Sequence, residues 1–197
     1  MTAMASVRLF IALETPGPVR EALGGTLAGL RKADADVRWE PEEKLHATLK
    51  FLGESPEAQV GPSLAGLGRA AASTPPLTVT YSGLGFFPSP RQPRIIWAGM
   101  HEPSGALGAF HALVEEAMES LGYEKESRPF HPHVTLGRVK GPRGLAALRA
   151  RVETCTFDQP PITLHEVALV TSDLRPSGSV YTILKRISLT GKLRAGE

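Results

Sequence analysis

The sequence predicts an α+β fold of two similar lobes related by an approximate two-fold axis, with two antiparallel sheets lining a central groove and helices outside. Three observations carry this expectation. The segment His46-Ala47-Thr48-Leu49 returns 87 positions later as His133-Val134-Thr135-Leu136. The surrounding landmarks keep step: 38 positions separate Arg8 from His46 and Ile95 from His133, and 86 separate Pro56 from Pro142. The hydrophobic spacing changes in the same order in both halves, giving strand, helix, motif strand and helix. All 197 residues are therefore read as one domain, 1–197, of two intertwined, repeat-related lobes, with the first motif at 46–49 and the second at 133–136.

Taken in order, Val7 to Leu13 is a compact apolar run suited to a buried strand. Thr15-Pro16 then marks a helix start, with Thr15 as the cap and proline where no amide partner is lost. Val19, Leu23, Leu27 and Leu30 supply its apolar stripe. Asp34 to Asp36 is the exit turn, Val37 to Trp39 a short strand, and Lys44 to Gly53 the strand of the first motif. Ser55-Pro56-Glu57 opens a second helix that reaches Ala72 and is stopped by Thr74-Pro75-Pro76. Leu77 to Phe87 and Ile95 to Met100 are strands around the turn Pro88 to Pro93. A helix from Ser104 aligns Leu107, Phe110, Val114 and Met118 and ends at Gly122. The second motif strand spans Pro132 to Val139, and Gly141-Pro142 opens a helix through Leu148 and Val152. Ile162 to Thr171 and Val180 to Leu189 read as a hairpin around Ser177-Gly178, and Lys192 to Glu197 as a frayed tail.

With 42% hydrophobic residues the chain can bury a substantial core. A formal net charge of only +2 means that a polyanion must be recognised by a local patch, not by a general field. Lys125, Arg128, Arg138, Lys140 and Arg143, set against Glu124 and Glu126, offer such a patch beside the second motif; the plainer reading is a solvated charged face. The single Cys155 excludes an intrachain disulfide and a thiolate metal cluster, and suits the cytoplasm. Val7 to Leu13 is too short for a signal peptide and is interrupted by Arg8, and no stretch approaches a membrane span. No Gly-rich phosphate loop implies ATP, so no cofactor is expected.

The chemistry resides in the paired motifs. In a strand, side chains two apart share a face, so each motif presents an imidazole beside a hydroxyl while the residues between them anchor the other face. Across a groove the two strands would supply two acid–base groups, His46 and His133, and two neutral donors for phosphate oxygens, Thr48 and Thr135. That suits metal-free cleavage of a phosphodiester. A lone His-x-Thr usually marks a half-buried core histidine, and threonine is common in strands; two copies at equivalent places of a repeat favour catalysis. Which histidine is acid and which base stays open. His131-x-His133 has metal-pair spacing, yet no neighbouring carboxylate or thiol completes a site, so no metal is expected. His101, His111 and His165 stand alone and read as structural or exposed, and Cys155 as a small core residue. Phe51, five after His46, is either core or a surface for stacking an unpaired base.

These residues also carry a family resemblance. Val7 to Leu13, Arg38-Trp39, His46-Ala47-Thr48-Leu49 with Lys50-Phe51-Leu52-Gly53, Arg128-Pro129-Phe130, Pro132-His133-Val134-Thr135-Leu136 with Arg138, and Ser172 through Tyr181 resemble the two-histidine phosphoesterases. Within these, the pattern is similar to the bacterial and archaeal RNA 2′,3′-cyclic phosphodiesterases, also called 2′-5′ RNA ligases. The resemblance implies hydrolysis of RNA ends bearing 2′,3′-cyclic phosphate, fragments of transfer RNA among them, to a 2′-phosphate. It implies His46 as proton donor, His133 as proton acceptor, and Arg138 as a phosphate-binding arginine, although alternation along the strand could turn Arg138 to solvent. Ligation in the same site, a small cyclic nucleotide substrate, and a non-catalytic module that binds RNA ends are the alternatives. A monomer suffices for such a site, and no membrane is involved.

Overall fold

The computed structural model describes residues 5–176 and 178–192; Ser177 of the expected hairpin and most of the expected tail lie outside them. The chain runs β1 (Ser6–Glu14), α1 (Gly17–Arg31), β2 (Val37–Trp39), β3 (His46–Pro56), α2 (Val60–Ala72), β4 (Leu77–Phe87), β5 (Ile95–His101), α3 (Ala106–Glu119), β6 (His133–Val139), α4 (Leu145–Thr154), β7 (Ile162–Leu164), β8 (Glu166–Arg175) and β9 (Gly178–Ser188). The expected order of elements is met, and β8 and β9 form the expected hairpin. The run expected as one strand from Ile162 breaks at His165: β7 leaves to pair with β4, while β8 pairs with β1.

The strands follow one antiparallel path, β7-β4-β5-β6-β3-β1-β8-β9, with β2 against β6. The two halves of the duplication meet edge to edge in the middle, where β3 and β6 share the single residue pair Ala47–Val134. Ala47, Leu49, Val134 and Leu136 are buried in the main core with the helix stripes, so the helices lie on the face opposite the motif histidines. The helices are exchanged between halves. α1 follows β1 but packs against α4, which itself lies on β4, and α3 follows β5 but packs on α2 and β3.

Helix starts depart from the expectation at three places: β3 runs on through Pro56 and α2 begins only at Val60, α4 begins at Leu145 behind Gly144, and α1 is capped differently. Thr15 does not cap α1: Pro16 takes the cap position, its carbonyl accepts the Arg20 amide at 2.9 Å, and the Thr15 hydroxyl is buried without a partner. Proline at the second helical position, Pro18, occupies one of the sites whose amide is free anyway. At α3 the Glu102 carboxylate accepts the Leu107 amide at 3.1 Å, and Ser104 accepts the Ala106 amide at 3.3 Å. Cys155 is half-buried, outside the deep core. Among the described residues no helix is long and apolar enough to cross a membrane.

Candidate active site

Each motif strand carries the same irregularity. Along β1–β3, Ile11 pairs with Lys50 and Ala12 with Thr48, so Leu49 is an extra residue; along β5–β6, Ile96 pairs with Gly137 and Trp97 with Thr135, so Leu136 is extra. A bulge of one residue shifts the alternation of all that follows. Leu49 and Lys50 therefore both turn inward, and Phe51 emerges on the face of His46 and Thr48. By the same shift, Leu136 and Gly137 are buried and Arg138 emerges on the face of His133 and Thr135. The expectation that strand alternation could turn Arg138 away fails for this reason. Phe51 and Arg138 thus occupy equivalent places in the two halves, and Phe51 is 65% exposed, which excludes the core reading of its ring.

The antiparallel Ala47–Val134 pair puts His46 towards Thr135 and His133 towards Thr48 on the groove face. Both imidazoles are held alike. His46 Nδ1 lies 2.7 Å from the Lys44 carbonyl, and His133 Nδ1 lies 2.6 Å from the His131 carbonyl. A carbonyl only accepts, so each Nδ1 carries hydrogen and donates, and each Nε2 is left for the groove. Lys44 is itself tied across to β9, its Nζ donating to the Ser179 carbonyl at 2.8 Å.

Aromatic rings bracket each imidazole. Phe10 lies 5.0 Å from His46 and Tyr181 stands edge-on to it at 5.3 Å; Phe87 stands edge-on to His133 at 5.0 Å and packs on Trp97 at 5.1 Å. Phe10 and Trp97 are 87 positions apart, the motif interval, a signal present in the sequence. Burial lowers the pKa of both histidines from the ordinary value, with the partner carbonyls opposing and the Arg138 charge reinforcing. The halves differ in one respect. Each ring feels the like charge of another histidine, His46 that of His133 and His133 that of His131, but only His46 has a carboxylate, Glu40, favouring its protonated form.

Arg138 lies opposite Arg38 in the β2–β6 pair, and its Nε is 3.6 Å from a Glu40 carboxylate oxygen. Most of the basic cluster read from the sequence is already engaged: Arg128 with Glu126, Lys125 with Glu119, and Arg143 with Asp34. These three are solvated ion pairs, whereas Arg138 lies on the face of His133 and Thr135. Beyond His133 a cavity of about 630 Å³ opens between Phe87, Trp97, Phe130, His131 and Glu102. The indole of Trp97 lies over Gly85, where any side chain would collide with it. Among the described residues no group of three or more His, Cys, Asp or Glu is gathered as metal ligands.

A family model described as LigT like phosphoesterase matches the chain over residues 13–97 and again over 99–181, one match around each motif. The chain belongs to that family. An RNA 2′,3′-cyclic phosphodiesterase of Thermus thermophilus is 36% identical over 201 residues, covering 94% of this chain and 92% of the relative. One of Methanothermobacter thermautotrophicus is 32% identical over 177 residues, covering 89% and 95%. Among solved structures, a Thermus thermophilus protein superposes with a TM-score of 0.76 at 32% identity, covering 94% of this chain and 100% of that one. Escherichia coli LigT in complex with 3′-AMP gives 0.74 at 28% identity, covering 94% and 99%. As a LigT-like phosphoesterase the chain is an enzyme of the two-histidine class. Lys44, Glu40, Phe10, Phe87 and Trp97 are groove residues to which motif reading alone gave no role, and His131, weighed there only as a metal ligand, instead supplies the carbonyl that holds His133.

Proposed function

We propose that this enzyme opens the 2′,3′-cyclic phosphate at an RNA end to a 2′-phosphate, with His46 as general acid and His133 as general base. The observation that carries the reading is the matched pair of imidazoles on adjoining strands, each pinned through Nδ1, which leaves its Nε2 for proton transfer. His133 Nε2 takes a proton from water as its oxygen attacks phosphorus; the bond to the 3′ oxygen breaks, and His46 Nε2–H supplies the proton that oxygen needs. Glu40 beside His46 supports the protonated role for that ring, and its absence from the influences on His133 supports the neutral one. Thr48, Thr135 and Arg138 hold the non-bridging oxygens, where negative charge grows. The activity named for the relatives and the 3′-AMP bound by E. coli LigT agree with a ribonucleotide in the groove.

The test is purified protein with a short RNA ending in 2′,3′-cyclic phosphate, in EDTA. A 2′-phosphate product is the expected result. A 3′-phosphate product would overturn the leaving-group assignment, and absence of turnover would overturn the reaction.

The dependence of kcat/KM on pH should be bell-shaped. Activity falls at low pH as His133 is protonated and falls at high pH as His46 loses its proton. Because both values are lowered, the high-pH limb of the free enzyme should begin below the ordinary histidine value of 6.5. A profile flat from about pH 5 to about pH 8 would contradict this.

Phe51 is proposed to stack on a base adjoining the cyclic phosphate. Phe51→Ala should raise KM for an RNA oligonucleotide about five- to a hundredfold while leaving kcat and melting temperature nearly unchanged. An unaltered KM would remove Phe51 from the site. Joining of RNA ends is a second reading favoured by the cavity beyond His133, which leaves room for a nucleoside whose 5′-hydroxyl replaces water.

A further inference from the structure

Residues 124–132 lead into β6 without helix or strand, and they contain the His131 carbonyl on which the His133 ring is fixed. Side chains from elsewhere set their course. The Lys50 side chain, 3% exposed, donates from Nζ to Glu115 Oε2 at 2.7 Å and to the Glu124 carbonyl at 2.8 Å. Glu115 Oε2 also accepts the Glu126 amide at 3.1 Å. One turn earlier on α3, His111 Nε2 lies 3.7 Å from Glu115 Oε1, and its ring stacks on Phe130 with centroids 3.9 Å apart and planes within 9°. The Pro132 carbonyl accepts the Met100 amide at 3.1 Å.

Burying an ammonium and a carboxylate gives little stability that well-packed apolar groups would not give. The Lys50 pair has a geometric result instead. The residue two after Thr48, turned inward by the Leu49 bulge, reaches the backbone ahead of the second motif. Its counterpart in the other half is Gly137, which has no side chain and lies close under Val37 and Trp39. The tether therefore runs one way, from the first motif strand to the approach of His133.

We propose that Lys50 is a positioning residue for His133, acting through Glu115 and His111 to hold residues 124–132 and so the direction of the His133 ring. The proposal rests on the reading of His133 as the base. It is tested with the double variant Lys50→Met/Glu115→Leu, which removes both charges together. The expected result is a folded protein whose kcat on the cyclic phosphate falls on the order of tenfold from misdirection of the base. KM should change less than about twofold, because the phosphate contacts are untouched. Nitrogen NMR of the His133 ring should show the Nδ1–H tautomer losing population.

Wild-type kcat with an unchanged ring tautomer in the folded double variant would overturn the proposal, as would a loss confined to KM. Should that variant not fold, His111→Leu removes the stack on Phe130 while leaving the ion pair, and the same two readouts decide. If the wild-type protein itself fails to open the cyclic phosphate, the functional reading falls, and the ring tautomer still decides whether Lys50 positions His133.

Discussion

Replacing His133 with alanine should lower kcat on an RNA 2′,3′-cyclic phosphate by about 10²–10⁴-fold, and His46→Ala should do the same. Both proteins should remain folded, since these rings border the groove and are not part of the main apolar core. The two losses are distinguishable by leaving group. With sulfur in place of the 3′ bridging oxygen, the departing thiolate needs no proton, so His46→Ala should regain most of its rate while His133→Ala stays slow. Rescue of the His133 variant instead would exchange the two roles. Near-normal activity of either variant on the natural ester would end the two-histidine mechanism.

The second large effect is expected at Arg138. Removing a hydrogen bond to a charged group costs about 1.5–3 kcal/mol, so Arg138→Leu should lower kcat/KM by about ten- to a hundredfold. A change in pH dependence should accompany it. The Arg138 charge lowers the pKa of both histidines, and its loss also frees Glu40, which favours protonated His46. The sign is therefore upward for both: the low-pH and high-pH limbs should each move to higher pH, the latter further. An unshifted profile with full activity would place Arg138 outside the site.

Much of this arrangement was legible in the sequence because repetition and periodicity report local structure. The paired His-x-Thr segments, the helix stripes and the order of elements along the chain all follow from spacing. The two bulges were not legible, since one extra leucine in a strand leaves the apolar pattern intact while reversing the direction of Phe51 and Arg138. Lys50 and Glu115 stand 65 positions apart, and nothing local marks a lysine that will be buried. Thr-Pro commonly opens helices, which favours Thr15 as a cap; here the backbone stays extended through Pro16, one residue later. The exchange of α1 and α3 between halves is likewise a property of three-dimensional connection that a one-dimensional repeat does not display.

That exchange bears on motion. A hinged enzyme closes by rotating one self-contained body against another, and each body keeps its own covering. Here the first strand of each half sends its following helix to cover the other half, so the two connections cross the molecule as opposed straps. Widening the groove would strip α1 or α3 from its apolar seat, a far larger cost than bending a hinge loop. The spacing of the two motif strands is accordingly expected to change little when substrate arrives. An RNA end should therefore meet a receptor near its working width, with little affinity spent on closing it.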